Sequence, residues 1–548
     1  MGRYYIGVDV GTASVRAALV NSDGDILATA SQPIQIWEPK PGYYEQSSED
    51  VWAMCCKTVK AVTSKVNKEE IKGIGFDSTC SLVVLGKDGQ PVTASPSGDA
   101  NRNIVMWMDH RASHQADRIN ATKHRVLDYV GGIISPEMET PKLMWLKENL
   151  KMECWDKAEY FMELPDFLTW KATGSLSRSL CSVVCKWTYV LQPERPGEGS
   201  WSNDYFKQIG LEDLTEDNYR KIGNDFRMPG YQCGEGLSEH AAEDLGLRAT
   251  LAVGTGIIDA HAGGIGVIGC QTEVTRHIPL GSRIAVISGT SACHMKMNKD
   301  PVFVPGVWGP FYNVMVPEFW TNEAGQTACG KLIDHIVETH PAYSEALQRA
   351  EKEGIHLSVY LNQLIQSMAE KQGLSHSAEL TRDLHMWPDF HGNRSPLADS
   401  TLKGMISGLT LACGVEELAC NHLATIQALA YGTKHILEAL KAAGHQVEMM
   451  FMCGGLAKNS VYVQTHADVT GIPIMLPDQT ESVLLGSAIL GALASGDFNS
   501  IQDAMAKMCG AGKIVYPQEQ CQDFHKRKYQ VFLKMLEHQR EYNKIMTH

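Results

Sequence analysis

The segment Gly7-Val8-Asp9-Val10-Gly11-Thr12-Ala13-Ser14 carries the most information in the chain. The residues leading into it are apolar and read as a strand that delivers Asp9 to its carboxyl end, facing a cleft. Gly11 lets backbone come close to a ligand. Thr12, Ser14 and nearby N–H groups are donors for phosphate oxygens. Asp9 is a hard carboxylate ligand for Mg2+, through water, because that ion gives up its waters reluctantly. Taken alone, the same segment also reads as an ordinary hairpin turn.

Residues 4–8, 15–20 and 26–36 read as three strands, with Asn21-Ser22-Asp23-Gly24 as the second turn. Ser47 and Asp50 then resemble a capping box, and Val51, Trp52, Cys55, Val59, Val62 and Val66 share one helical face. Ile71 to Phe76 is the next strand. The order β-β-β-α-β predicts a mixed sheet with a helix on its face. A related pattern returns later: a strand at 284–288, the loop Gly289-Thr290-Ser291, a hairpin partner at 292–297, a helix near 415–443, a strand at 447–452, a helix near 460–470, a strand at 472–476 and a helix near 484–494. At 548 residues the chain is too long for one ordinary core. The expectation is an α/β protein of two related domains, 1–272 and 283–548, with insertions at 192–204 and 340–380.

One glycine- and hydroxyl-rich turn per domain is an arrangement that clasps a triphosphate from both sides. The pairing resembles the actin-like (ribonuclease H-like) superfamily of sugar kinases and heat-shock ATPases. Phe451-Met452-Cys453-Gly454-Gly455-Leu456-Ala457-Lys458-Asn459 resembles that superfamily's adenosine site, where a glycine pair lets a purine lie against backbone. The resemblance implies nucleotide contacts for Gly454, Gly455 and Asn459, beside Gly11, Thr12, Ser14, Gly289, Thr290 and Ser291.

Further segments narrow this. Phe390-His391-Gly392-Asn393-Arg394-Ser395-Pro396, followed by Gly404 and Gly408-Leu409, resembles the C-terminal signature of the FGGY carbohydrate kinases. Gly254-Thr255-Gly256-Ile257-Ile258-Asp259-Ala260-His261-Ala262-Gly263 resembles the segment that carries their catalytic aspartate, here Asp259. Asn322-Glu323-Ala324-Gly325-Gln326-Thr327 resembles their nucleotide-side loop, which adds Gly325 and Gln326. Phe76-Asp77-Ser78-Thr79-Cys80-Ser81-Leu82, Trp107-Met108-Asp109-His110-Arg111 and Lys186 are similar to the sugar-contacting parts of ribulokinases and related pentulose or pentitol kinases. The resemblance runs from residue 4 to about residue 495. It implies two actin-like domains flanking a nucleotide and sugar cleft, and Mg-ATP-dependent phosphorylation of a pentulose. D-ribulose is the first choice, with L-ribulose, D-xylulose and ribitol behind it. Asp259 is then the base, Asp9 the metal residue, and Asp77, Trp107, Asp109, Lys186, Glu323 and Asp259 the sugar contacts. Asp259 also stands where a helix N-cap would, and the two roles are compatible. Asp77 and Glu323 equally read as partners in a salt bridge at a domain surface. The rivals are a nucleotide or sugar sensor on the same fold and a chaperone-type ATPase; sugar-stimulated turnover separates them.

Composition limits the partners. The formal net charge is −14 and no Lys/Arg-rich run appears, which argues against nucleic acid or anionic membrane. No apolar run approaches the roughly 20 residues that span a bilayer. The first strand starts too early for a signal peptide, and 15 scattered cysteines without zinc spacing read as reduced thiols, so a cytoplasmic location is expected. The resemblance allows a homodimer. Gly264-Ile265-Gly266-Val267-Ile268-Gly269 matches GxGxxG but lacks an acid about 20 residues on, and is expected to serve close helix packing. Gly325 to Lys331 misses a P-loop, because Leu332 cannot ligate Mg2+. His110, His261 and His391 lack the spacing of a metal site and are expected as buried, hydrogen-bonded residues.

Overall fold

The computed structural model describes residues 2–192, 194–195 and 198–547. The opening hairpin is β1 (Tyr4–Val10) and β2 (Ser14–Asn21), followed by β3 (Ile26–Pro33). β3 stops at Pro33, short of the expected 36, where proline has no N–H to give the ladder. Helix α1 (Ser48–Thr63) buries Val51, Trp52, Cys55, Val59 and Val62. The Ser47 hydroxyl accepts from the Asp50 N–H at 3.3 Å, but the Asp50 carboxylate accepts from Gln35 N–H at 2.9 Å, so only half of the capping box forms. β4 (Ile71–Ser78), helix α2 (Leu180–Lys186), β5 (Ala252–Ile258) and helix α3 (Asp259–Ile268) complete the part of this half that matters for the site. The sheet order is β5-β4-β1-β2-β3. β4 and β5 run parallel to β1, and β2 lies antiparallel between β1 and β3.

The second half repeats the plan. β6 (Arg283–Ser288) and β7 (Ala292–Asn298) form an antiparallel hairpin, β9 (Trp320–Gln326) pairs antiparallel with β7, and β8 (Trp308–Tyr312) pairs antiparallel with β9 at the edge. Helix α4 (Val415–Ala442), β10 (Met449–Cys453), helix α5 (Ser460–Thr470), β11 (Ile474–Pro477), helix α6 (Ser482–Ala494) and β12 (Gly512–Val515) follow. The sheet order is β8-β9-β7-β6-β10-β11-β12. Segment 340–380 carries the helices Tyr343–Glu353 and Leu357–Lys371. Within 192–204, Pro193, Pro196 and Gly197 lie outside the described residues, and Gly199–Ser200 pairs with Val190–Leu191.

One element departs from the simple two-halves picture. Helix α6 lies in the second half of the sequence, between β11 and β12, yet it packs on β1, β4 and β5 of the first sheet and against α3. Its sequence SVLLGSAILGALA is apolar on every side, which demands burial all round. Glycine permits the approach. A Cβ at Gly7, Gly73 or Gly75 would collide with the α6 carbonyls of Leu484, Gly491 and Ser487. A Cβ at Gly266 would strike the Ser482 carbonyl, and one at Gly486 the Ala262 carbonyl. The GxGxxG match is therefore a helix-packing surface. It seats α3, and with it Asp259, between the two sheets.

Candidate active site

The two turns face one cavity of about 390 Å³. Gly11, Thr12 and Ser14 line it from the first sheet, and Gly289, Thr290 and Ser291 from the second. Each turn is closed by its own backbone: Gly11 N–H donates to the Ser14 carbonyl at 3.0 Å, and Gly289 N–H to the Ser291 carbonyl at 2.8 Å. A Cβ at Gly289 would meet nothing within 4 Å among the described residues, so this turn leaves open space for a ligand. Trp107 also lines the cavity, and its indole N–H donates to the Thr12 hydroxyl at 3.1 Å.

Asp9 forms part of the cavity wall at the end of β1. Its cross-strand neighbour Arg16 donates from Nε to Oδ2 at 3.0 Å and also binds that oxygen through Nη2. Arg16 continues to Glu481 Oε2 at 2.7 Å, just before α6. On the other side, the β1–β4 register places Asp77 beside Asp9. Asp77 is fully buried, accepts from the Ser487 hydroxyl of α6, and does not reach the cavity. Burial first, and the adjacent Asp9 second, push its pKa well above the usual carboxylate range. Asp77 therefore lies behind Asp9 and outside the cavity lining, which corrects the expectation of a sugar contact.

Asp259 opens α3 and lines the same cavity. Its Oδ1 accepts from the Ala260 N–H at 2.7 Å, so it holds the helix start as well. Burial and the Asp9 charge push its pKa up to about 6, against the opposing pull of the Ala260 N–H and Lys186. Lys186 ends α2 and is buried. Its Nζ donates to Glu323 Oε1 at 3.2 Å and Oε2 at 3.4 Å, and sits 4.4 Å from the Trp308 ring centre. Burial opposes the ammonium charge, but Glu323 outweighs it and holds the pKa above the usual lysine range. Burial likewise opposes the Glu323 charge, and Lys186, His261 and Arg394 bring its pKa below the usual range. The pair joins α2 of the first half to β9 of the second.

A second pair spans the halves. Arg394 Nη2 donates to both Glu137 oxygens, at 3.1 and 3.0 Å, and the guanidinium lies 5.4 Å from the Trp308 ring. Glu137, Trp308, Arg394, Cys80 and Cys293 all line the cavity and were absent from the residues singled out in the sequence. Arg394 lay inside the quoted 390–396 motif, which was the signal for it. Glu137 sits in an irregular segment with no motif around it.

Other expected residues fall elsewhere. Asp109 is buried: Arg111 donates to both oxygens, at 2.9 and 2.7 Å, and Tyr44 N–H adds 2.7 Å, so Asp109 is a strut and not a cavity residue. Gln326 turns toward α4, donating to the Leu429 carbonyl at 2.9 Å and the Thr433 hydroxyl at 3.2 Å. Gly325 makes room for Arg394, since a Cβ there would stand 3.2 Å from its Nη1. Asn459 caps α5, accepting from the Val461 and Tyr462 N–H groups at 3.0 and 3.2 Å. Gly454 presses on the Ser288 backbone at φ 94°, whereas a Cβ at Gly455 would meet nothing within 4 Å among the described residues. The glycine pair therefore opens a shelf beside the second turn.

This geometry has counterparts. The N-terminal domain model of the FGGY family of carbohydrate kinases matches residues 4–189, and the C-terminal domain model matches residues 284–495. The chain belongs to the FGGY family of carbohydrate kinases. This FGGY kinase is 55% identical over 549 residues to the human FGGY carbohydrate kinase domain-containing protein, covering 100% of this chain and 98% of the human one. It is 37% identical over 519 residues to a D-ribulokinase of Saccharomyces cerevisiae, covering 91% of this chain and 72% of the yeast protein. Among solved structures, the gluconate kinase from Lactobacillus acidophilus superposes with a TM-score of 0.79 at 18% identity, over 100% of each chain. The ligand-bound xylulose kinase from the same organism superposes with a TM-score of 0.78 at 18% identity, over 97% of each chain. These neighbours share the two-domain actin-like fold, and the family makes the chain a sugar kinase. No helix among the described residues of the FGGY kinase is long and apolar enough to cross a membrane.

Proposed function

We propose that the protein transfers the γ-phosphoryl group of Mg-ATP to a pentulose, with D-ribulose as the acceptor and D-ribulose 5-phosphate as the product. The observation that carries this reading is the meeting of Asp259, Lys186 and Glu323 on one cavity bounded by two hydroxyl-rich turns. The name of the yeast relative supports ribulose as the sugar.

The donors around the cavity fit the nucleotide and its ion. Asp9 offers a carboxylate oxygen that Arg16 leaves free, and the turn at Gly289 and the shelf at Gly455 have space for phosphate and purine. Bound there, Mg-ATP supplies the phosphoryl group and the charge neutralisation that transfer needs. The remaining work falls to the side chains. A sugar hydroxyl holds its proton tightly, and Asp259 accepts that proton as the hydroxyl attacks. With a pKa of about 6, Asp259 is ionised near neutral pH yet basic enough to take it. Lys186 donates to sugar oxygens and Glu323 accepts from sugar hydroxyls, both held in place by their mutual pairing. The two charge pairs across the halves limit water around the transferring group.

The test is ADP release with Mg-ATP and a panel of ketopentoses and pentitols, beside Asp259→Ala. Turnover is expected to be highest with D-ribulose and to collapse in the variant. A preference for L-ribulose, D-xylulose or ribitol would replace the acceptor and leave the kinase. Turnover with no sugar in the panel, or undiminished in Asp259→Ala, would defeat the reading.

A further inference from the structure

Cys181, Cys185 and His261 lie outside the cavity and have no part in the proposed transfer. All three are buried, and their ligand atoms stand within 4.8 Å of one another. The sequence hides the cluster. Cys181 and Cys185 are four residues apart, on one face of α2, and His261 comes from α3, far along the chain. No Cys and His spacing along the sequence matches a zinc set, because the third member comes from a distant helix.

We propose that Cys181, Cys185 and His261 bind one soft divalent metal ion of the Zn2+ class. A tetrahedral centre with Zn–S near 2.3 Å and Zn–N near 2.0–2.1 Å puts sulfur and nitrogen about 3.6 Å apart. Cys185 Sγ and His261 Nε2 are 3.7 Å apart. His261 turns Nε2 toward the sulfur, and its Nδ1 has no hydrogen-bond partner among the described residues, so no neighbour forces the proton onto Nε2. Two thiolates and a divalent ion sum to zero charge, which a buried site needs. Thiolate and imidazole donors select this class of ion over Mg2+, which separates the cluster from Asp9. Cys185 precedes Lys186, and His261 follows Asp259 by two residues. A bound ion therefore ties the helix that presents Lys186 to the helix that presents Asp259.

An S–H···N hydrogen bond accounts for the same 3.7 Å separation without any metal, and binding decides between them. Reduced, chelator-stripped protein is titrated with Co2+ and followed by absorption. One equivalent is expected to raise a thiolate-to-cobalt charge-transfer band, and one equivalent of Zn2+ to abolish it. The band should be lost in Cys181→Ser and in Cys185→Ser, with folding confirmed by circular dichroism. X-ray absorption at the zinc edge of the unaltered protein is the second measurement, independent of any variant. It should give two sulfurs and at least one imidazole nitrogen around the ion. No band in the unaltered protein, a band that survives in Cys181→Ser/Cys185→Ser, or a zinc shell without sulfur would overturn the site. None of these readouts depends on which sugar is phosphorylated.

Discussion

Asp77 and Asp259 are both carboxyls lifted above their usual range, yet their surroundings give them opposite tasks. Asp77 is sealed behind Asp9 and under Ser487, where burial and the Asp9 charge push its pKa well above the usual range. Asp259 borders the cavity with a pKa near 6 and loses its proton below neutral pH. Asp259→Asn should lower kcat by about 10²- to 10⁴-fold, the usual worth of a positioned base, while calorimetry still finds ATP bound. The raised pKa also fixes a pH limb. The base works only when ionised, so kcat/KM should fall tenfold per pH unit below about pH 6, and not near pH 4 as for an ordinary carboxylate. A profile flat down to pH 5 would remove Asp259 as the base. Asp77→Asn should change kcat less than about fivefold, because Asp77 lies outside the cavity and the amide oxygen can still accept from Ser487. A loss as deep as that of Asp259→Asn would give the Asp77 carboxylate a part in turnover. Sequence reasoning named Asp259 as the base and Asp77 as a sugar contact or salt-bridge partner, and it could not place Asp77 behind Asp9, because that rests on cross-strand register and on what α6 covers.

At the scale of elements, the crossing of α3 and α6 decides where Asp259 stands. Backbone lies on backbone at Gly266 and Gly486, and an added methyl forces the helices apart. Gly486→Ala and Gly266→Ala should each cost about 1–3 kcal/mol, the range for overpacking a tight core, read as a lowered melting midpoint. They should also lower kcat, because α3 carries the base Asp259. Unchanged melting and kcat in both variants would mean that the crossing has slack. Much of this level was legible in the sequence. The opening hairpin, α1, the second hairpin and the order of helices and strands after 415 follow from period and turn chemistry, and each has its counterpart in the structure. The partner of α6 was not legible. An apolar, glycine-containing helix announces that it is buried and does not say against which sheet. The same limit hid Glu137 and the Cys181, Cys185 and His261 cluster, whose members meet only in the folded chain. Motif likeness over-assigned in turn: Asp109 and Gln326 occupy motif positions, but each spends its polar atoms on neighbouring protein groups.

At the scale of the whole molecule, the halves are held across the cleft by two buried charge pairs beside Trp308, Lys186–Glu323 and Arg394–Glu137. Coulomb attraction there is hardly screened by salt, but each charge also lost its water, so the pairs are worth more for geometry than for net stability. Removing one partner strands the other. Arg394→Met leaves the Glu137 carboxylate buried beside the cavity and should cost about 3–5 kcal/mol in unfolding free energy. Glu137→Gln/Arg394→Met leaves no stranded charge and should regain part of that loss. Function should not follow stability. Both variants lack the bidentate clamp that closes this side of the cleft, so water gains access to the transferring phosphoryl group. ADP release without sugar should rise relative to sugar-stimulated turnover by a similar factor in the single and the double variant. A double variant that recovers both stability and coupling would show that the pair matters only through the cost of an unpaired charge. Recovery of stability alone would assign Arg394 and Glu137 to keeping water out of the closed cleft.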